Sequence, residues 1–214
     1  MPKKYVSNNV VRRIPRYLRK LEQLQAEGVE HISSAELGHM LGLTPSQIRQ
    51  DLNLFGEFGQ QGYGYSVRML NWELRKIIGM DRGFKAILIG VGNIGQALID
   101  RFSFSDWGVR LECAFDIDSR VVGTNHNGIE ILHADSLEGF LRENHIDIAV
   151  LCVPKEEAVS MAKRITDNGI QAIWNFTNMD IMEPNSRILI ENVHFSDSLL
   201  NLSYYLTEYK EQWR

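Results

Sequence analysis

Residues 86–95, AILIGVGNIG, run a short apolar strand directly into Gly90, Gly92 and Gly95. Asp116 follows 21 residues after the last of these glycines, at the end of the next apolar stretch, LECAFD. Strand, glycine turn, helix, strand and acid in this order form the dinucleotide-binding fingerprint, and each part has a mechanical task. Gly90 permits a tight turn, Gly92 lets the main chain approach a pyrophosphate, and Gly95 lets the new helix lie close to the sheet. The segment Gly90, Val91, Gly92, Asn93, Ile94 and Gly95 is thus a candidate phosphate cradle, with the unpaired N–H groups of a helix start aimed at the phosphates. The Asp116 carboxylate is placed to accept hydrogen bonds from the adenosine ribose. It would repel a 2′-phosphate, which favours NAD over NADP, and the nearby Arg120 would have to override it.

Strands and helices alternate through the rest of this half. The pattern predicts strands at 85–90, 109–116, 129–132, 146–152, 171–175 and 187–191, with helices at 93–103, 136–144 and 156–168. Near-continuous apolar strands such as IDIAVLCV imply a parallel sheet covered by helices on both faces, a Rossmann-type α/β domain. Pro154, just after that strand, falls at the carboxyl end of the sheet, where open α/β folds bind ligands. Asn175, Phe176 and Thr177 hold the equivalent place after the strand AIWNF.

The first eighty residues have a different character. They carry 11 Lys and Arg against 7 Asp and Glu, a balance of +4, whereas residues 81–214 carry 12 against 20, a balance of −8. The first part is therefore the one electrostatically suited to a polyanion. Val10, Ile14, Tyr17, Leu18, Leu21 and Leu24 recur at helical spacing and predict one amphipathic helix over 8–27, capped by Asn8 or Asn9 and ended by Gly28. Ser33-Ser34-Ala35-Glu36 has the form of a capping box opening a second helix, Ser34–Leu41. Gly42 breaks it, and Thr44-Pro45 opens a third, Pro45–Phe55, with proline at a favoured first position.

Two short helices joined by such a turn make a helix-turn-helix, whose second helix enters the major groove. With Ile48, Leu52 and Phe55 facing inward, Ser46, Gln47, Arg49, Gln50 and Asn53 are left to face base edges. Arg reads guanine bidentately, and Gln or Asn reads adenine. The glycine-rich stretch GEFGQQGYGYSV then predicts a hairpin wing with Gln60, Gln61 and Tyr63 at its tip. Arg12, Arg13, Arg16, Arg19 and Lys20 crowd the first helix, with Arg12 and Arg16 candidates for phosphate contacts. A linking helix around 68–79 ends at Gly79, and Gly83 marks the boundary.

No apolar run approaches the roughly 18 residues that span a bilayer. The segment MPKKYVSNNVVRR lacks an apolar signal core, and Cys113 and Cys152 sit in predicted strands with no CxxC spacing. These features point to a reduced, cytoplasmic protein without a metal or membrane partner. An NAD-dependent oxidoreductase using the first domain for dimerisation is one alternative, and an adaptor binding an acidic partner is another. An oxidoreductase needs a substrate site and a general acid or base. About 110 residues of dinucleotide domain leave little room for the first. None of His31, His39, His126, His133, His145 and His194 stands in a catalytic motif with a carboxylate, so the dinucleotide reads as a signal and the chain as no enzyme. The terminal segment FSDSLLNLSYYLTEY carries Phe195, Leu199, Leu202, Leu206 and Tyr209 on one stripe. Such a helix either packs on its own domain, the preference from these residues alone, or exchanges with a partner subunit.

The run SSAELGHMLGLTPSQIRQDLNLFGEFGQQGYGY, followed by AILIGVGNIGQALI and AFDID, resembles the Rex family of redox-sensing transcriptional repressors over residues 8–210. The resemblance implies a homodimer with three parts: a winged-helix domain at 1–80, a Rossmann NAD(H)-binding domain at 81–192 and a swapped dimerisation helix at 193–214. It further implies NADH bound in preference to NAD⁺, and a palindromic operator released when NADH rises. Arg13 matches an arginine that couples the domains through an acid at the start of the partner's C-terminal helix. That position holds His194 here, followed by Phe195, with Asp197 one helical turn on as the candidate replacement. Many relatives carry Lys or Arg where this chain has Gln50, Gln60 and Gln61, which bears on operator preference.

Overall fold

The computed structural model describes residues 6–60, 62–182 and 188–212. The chain divides into two compact units, Met1–Arg82 and Gly83–Arg214.

In the first unit the expected single helix is two, α1 (Asn8–Val11) and α2 (Ile14–Ala26). The cause is Pro15. It has no N–H to donate, so it is tolerated in the first turn of a helix and not inside one. The cap of α1 is Ser7 rather than an asparagine, and its side chain makes no capping bond. After the short β1 (His31–Ile32), Ser33 caps α3 (Ser34–Leu41) in a complete capping box. Its hydroxyl accepts from Glu36 N–H, and the Glu36 carboxylate accepts from Ser33 N–H. Gly42, at φ 66°, ends α3 in the left-handed conformation. Thr44 caps α4 (Pro45–Asn53), two residues shorter than its apolar pattern suggested.

The hairpin strands β2 (Gly59–Gln60) and β3 (Gly64–Ser66) pair antiparallel, and β1 joins them as a third strand against β3. A two-residue strand lies below what periodicity can signal. The linking helix α5 runs Val67–Ile77. Ile14, Tyr17, Leu18, Leu21, Leu37, Ile48, Leu52, Leu70 and Leu74 form one buried core.

The second unit is a Rossmann-type α/β sheet. Its elements are β4 (Phe84–Ile89), α6 (Asn93–Arg101), β5 (Val109–Asp116), β6 (Asn125–His126), β7 (Ile129–His133), α7 (Leu137–Glu143), β8 (Ile148–Leu151), α8 (Ala158–Asp167), β9 (Ala172–Asn175), β10 (Leu189–Asn192) and α9 (Phe195–Gln212). The described strands pair in the order β10-β9-β8-β4-β5-β7-β6, parallel except for β6. The β6–β7 hairpin turns on Asn127-Gly128, both at positive φ, a pairing suited to two-residue hairpins that the sequence reading passed over. One face of the sheet buries Ile87, Ile89, Phe115, Leu151 and Ile173 under α7 and α8 residues. The other buries Leu88, Ala114, Val150 and Phe176 with Ile99 of α6.

Helix α9 is the exception to this burial. Leu199, Leu200, Leu202, Tyr204, Tyr205, Leu206 and Tyr209 each stay at least half exposed. Its first residue, Phe195, meets the Phe176 ring at 6.3 Å. Packing of this helix on its own domain, the local preference, is not what the structure shows. Among the described residues, no helix is long and apolar enough to cross a membrane.

Candidate functional site

The strand order places β4 at the centre of the sheet, with β5 on one side and β8 on the other. The carboxyl ends of β4 and β8 therefore form the crevice where the chain reverses direction across the sheet, the usual ligand position in such folds. At this crevice each glycine has a measurable reason. Gly90 has φ 95°, and a Cβ built on it would lie 2.7 Å from the Cys152 carbonyl carbon and oxygen. A Cβ on Gly95 would come within 2.0 Å of the Gly90 carbonyl oxygen, so only glycine lets α6 begin this close to the turn. Gly92 differs: nothing lies within 4 Å of its hypothetical Cβ, and it is the N-cap of α6 without a side chain to satisfy the N–H groups. Open space over unpaired donors is the arrangement a diphosphate requires.

Asp116 ends β5 beside this turn. One of its oxygens accepts from Val91 N–H at 2.6 Å and the other from Asp118 N–H at 2.8 Å. The acid thus first braces the glycine turn, and each carboxylate oxygen keeps a further lone pair for a ligand hydroxyl. Val91 is buried, whereas Asn93 and Ile94 are exposed at the start of α6. Pro154 is exposed two residues past Cys152, leading into a short turn of helix at Lys155–Glu157.

Sequence reasoning left Asn175 unassigned beyond its place after β9, yet it organises the neighbouring loop. The buried amide donates to Met179 O and Asn192 Oδ1, both at 2.7 Å, and accepts from the N–H and hydroxyl of Thr177. Both cysteine thiols are pushed up by burial to about 12, which keeps them protonated and unreactive near neutrality.

Three histidines approach carboxylates: His133 to Asp135 at 3.3 Å, His145 to Asp147 at 3.2 Å and His194 to Asp180 at 2.8 Å. The first two are local pairs two residues apart. His126 ends β6 and His133 ends β7. His194 also faces Asn178 Oδ1 at 3.3 Å, and Asp197 N–H donates to its carbonyl. Among the described residues, no group of three or more His, Cys, Asp or Glu could hold a metal ion.

In the first unit, Ile48 and Leu52 anchor α4 while Ser46, Arg49, Gln50 and Asn53 stay exposed; Gln47 is half-buried, a correction to its expected exposure. Arg49, Asn53 and the exposed Tyr63 line one open cleft of about 780 Å³ between α4 and the wing, with Ser34, Glu36 and Glu57 also on its walls. The Arg49 guanidinium donates to Ser34 Oγ at 3.0 Å, which aims it across this cleft. The β2–β3 register pairs Gln60 with Gly64; Gln61 lies outside the described residues. Arg12 is exposed at the end of α1, and exposed Arg16 donates to Leu41 O at 2.8 Å, closing the C-terminus of α3.

Sequence reasoning missed Asp51, a carboxylate on the inward side of α4 and 3% exposed. Arg13 holds it bidentately, Nε at 2.6 Å and Nη2 at 2.8 Å, and the Tyr17 hydroxyl donates to the same carboxylate. The Asp51 hydrogen bond raises the Arg13 pKa, and burial followed by Asp51 raises that of Tyr17. A buried charge held by two partners clamps the angle between α2 and α4. The sequence signal was an acid at a position where helical spacing points inward.

Comparison with known proteins agrees with both halves. A family model described as "Putative DNA-binding protein N-terminus" matches residues 5–53, and one described as "CoA binding domain" matches 81–179. The redox-sensing transcriptional repressor Rex of Caldicellulosiruptor saccharolyticus is 50% identical over 96% of this chain and 94% of its own. That of Clostridium beijerinckii is 45% identical over 96% and 97%. Among solved structures, RSP in complex with β-NADH aligns with a TM-score of 0.90 at 43% identity, covering 99% of this chain and 100% of its own. RSP in complex with β-NAD⁺ and operator DNA aligns with a TM-score of 0.89 at 47% identity, covering 97% and 95%. With such identity across both units and nearly the whole length, this chain belongs to the Rex family of redox-sensing transcriptional repressors.

Proposed function

We propose that the chain is a repressor that binds a palindromic operator as a homodimer and releases it when NADH occupies the Rossmann cleft. The observation that carries this reading is that one chain holds both a polar recognition helix with a wing and a glycine cradle with its acid. In this reading Arg49, Gln50, Gln47, Asn53 and Ser46 present the base-reading face. Gln60, Gln61 and Tyr63 form the wing contact, and Arg12 and Arg16 meet phosphates. Gly90 to Gly95, Asp116 and Pro154 hold NADH, and NAD⁺ more weakly. No catalytic residue is assigned, because the dinucleotide acts as a signal.

The apolar stripe of α9 supports exchange of this helix between subunits, since exposed leucines and tyrosines on one stripe of a helix call for a partner. The interdomain coupling would run through Arg13, His194, Phe195 and Asp197. Arg13 is committed to Asp51 in its own unit, so any coupling acts on a clamp and not on a free arginine. His194 stands at the entry to α9 within hydrogen-bond distance of Asp180 and Asn178.

Two recognition helices read half-sites set about 34 Å apart, or a multiple, so a changed separation ends simultaneous docking. To move from mostly bound to mostly free, NADH must favour the released state by roughly 5 kcal/mol. Fluorescence anisotropy of a labelled palindromic operator, titrated with NADH, tests the switch, and unchanged binding at saturating NADH refutes it. Light scattering of Leu199→Asp/Leu206→Asp tests the dimer: the expected result is a monomer.

A further inference from the structure

Asp116 has a companion acid. Asp118, two residues on, donates its own N–H to Asp116 and receives the Arg120 side chain as a fork. Arg120 Nε lies 3.0 and 2.9 Å from the two Asp118 oxygens, and Nη2 lies 2.5 Å from Oδ2. The Arg120 main-chain N–H adds a fourth bond, to Oδ1 at 2.9 Å. These contacts hold the Asp118 carboxyl down to about 2, so it stays ionised throughout the physiological range. Arg120 is the one Lys or Arg between Ile117 and Thr124. In dinucleotide folds a cation in this neighbourhood is what accommodates the 2′-phosphate of NADP.

We propose that Asp118 is a second determinant of coenzyme choice, holding Arg120 in a forked ion pair and so denying that cation to a 2′-phosphate, while Asp116 reads the ribose diol. The proposal rests on the dinucleotide reading of the cleft. A 2′-phosphate brings an anion to a turn that already holds two carboxylates, and Arg120 meets it only by leaving a bidentate partner. NADH lacks that group and makes no demand on Arg120. Selectivity therefore has two separable layers, one repelling the phosphate and one withholding its natural partner. Toward a 2′-phosphate Asp116 and Arg120 act as opponents, and Asp118 decides between them by holding Arg120.

The test is a set of fluorescence titrations with NADH and with NADPH on the full-length protein, for wild type, Asp118→Asn, Arg120→Ala and Asp118→Asn/Arg120→Ala. Asp118→Asn is expected to shift the affinity ratio toward NADPH by about threefold, the scale of one exposed charge lost and another freed. Adding Arg120→Ala is expected to cancel most of the shift, and Arg120→Ala alone to leave the wild-type ratio. An unmoved ratio in Asp118→Asn, or a shift that survives without Arg120, overturns the proposal while NADH binding still stands. Wild type that binds neither coenzyme overturns the dinucleotide reading itself.

Discussion

The recognition surface of the first unit is made of side chains, whereas the dinucleotide cleft of the second is made of main chain. On α4 the proposed base-reading groups are the side chains of Arg49, Gln50 and Asn53, and the backbone is scaffold. At the end of β4 the proposed phosphate contacts are backbone N–H groups, and side chains are notable for their absence at Gly90, Gly92 and Gly95. The two sites therefore fail in opposite ways. One is damaged by removing atoms, the other by adding them.

The clamp under the recognition helix gives the largest expected effect. Arg13→Ala leaves the Asp51 carboxylate buried with Tyr17 alone, and should destabilise the first unit by about 4 kcal/mol. Urea unfolding followed by circular dichroism measures this, and a change within error would mean the pair is dispensable. Gly95→Ala puts a methyl within 2.0 Å of the Gly90 carbonyl and should cost about 3 kcal/mol together with NADH binding. Gly92→Ala sharpens the contrast. Its methyl meets nothing in the protein, so the melting temperature should hold while NADH affinity falls on the order of tenfold, because the added atom fills space the pyrophosphate needs. Equal damage to fold and binding in Gly92→Ala would break the distinction between the two glycines.

Arg49→Ala removes atoms from the other site and should weaken specific operator binding by about 1–3 kcal/mol while leaving the fold intact. Anisotropy with operators altered base by base would show whether discrimination at one position relaxes. The smallest effect concerns Glu138, whose carboxyl the Arg164 guanidinium holds at about 2, below its ordinary 4.5. A carboxyl depressed in the folded state stabilises above pH 4.5, and that contribution is lost as pH falls toward 2. For a partly exposed pair it is worth under about 1 kcal/mol. Melts of wild type and Glu138→Gln should therefore differ at pH 7, differ less as pH falls below 4.5 and converge only near pH 2.

Much of this frame was legible because its causes are local. The capping box at Ser33–Glu36, the Thr44-Pro45 helix start, the Gly42 stop and the strand-to-glycine turn at Ile89–Gly90 depend on residues within one or two turns of each other. Pro15 carried an equally local signal, but the hydrophobic spacing across it stayed in phase and hid the break between α1 and α2. Asn127-Gly128 was legible as a hairpin and was passed over because β6 is too short to show alternation. The Arg13–Asp51 pair spans 38 residues and Asn175–Asn192 spans 17, and no periodicity reports which polar side chains will meet inside.

Helix α9 marks the division most clearly. Its sequence determines that it is a helix and that one stripe is apolar, because helical spacing is a property of consecutive residues. Where that stripe goes is a matter of which surfaces the rest of the fold leaves uncovered, and the sheet of this chain is already covered without it. In the same way the chain determined the glycine turn, the recognition helix and their separate units by short-range sterics and spacing. Tertiary structure decided which acids are buried, which cations are held and what remains open to a ligand, since these depend on distances between residues far apart in sequence.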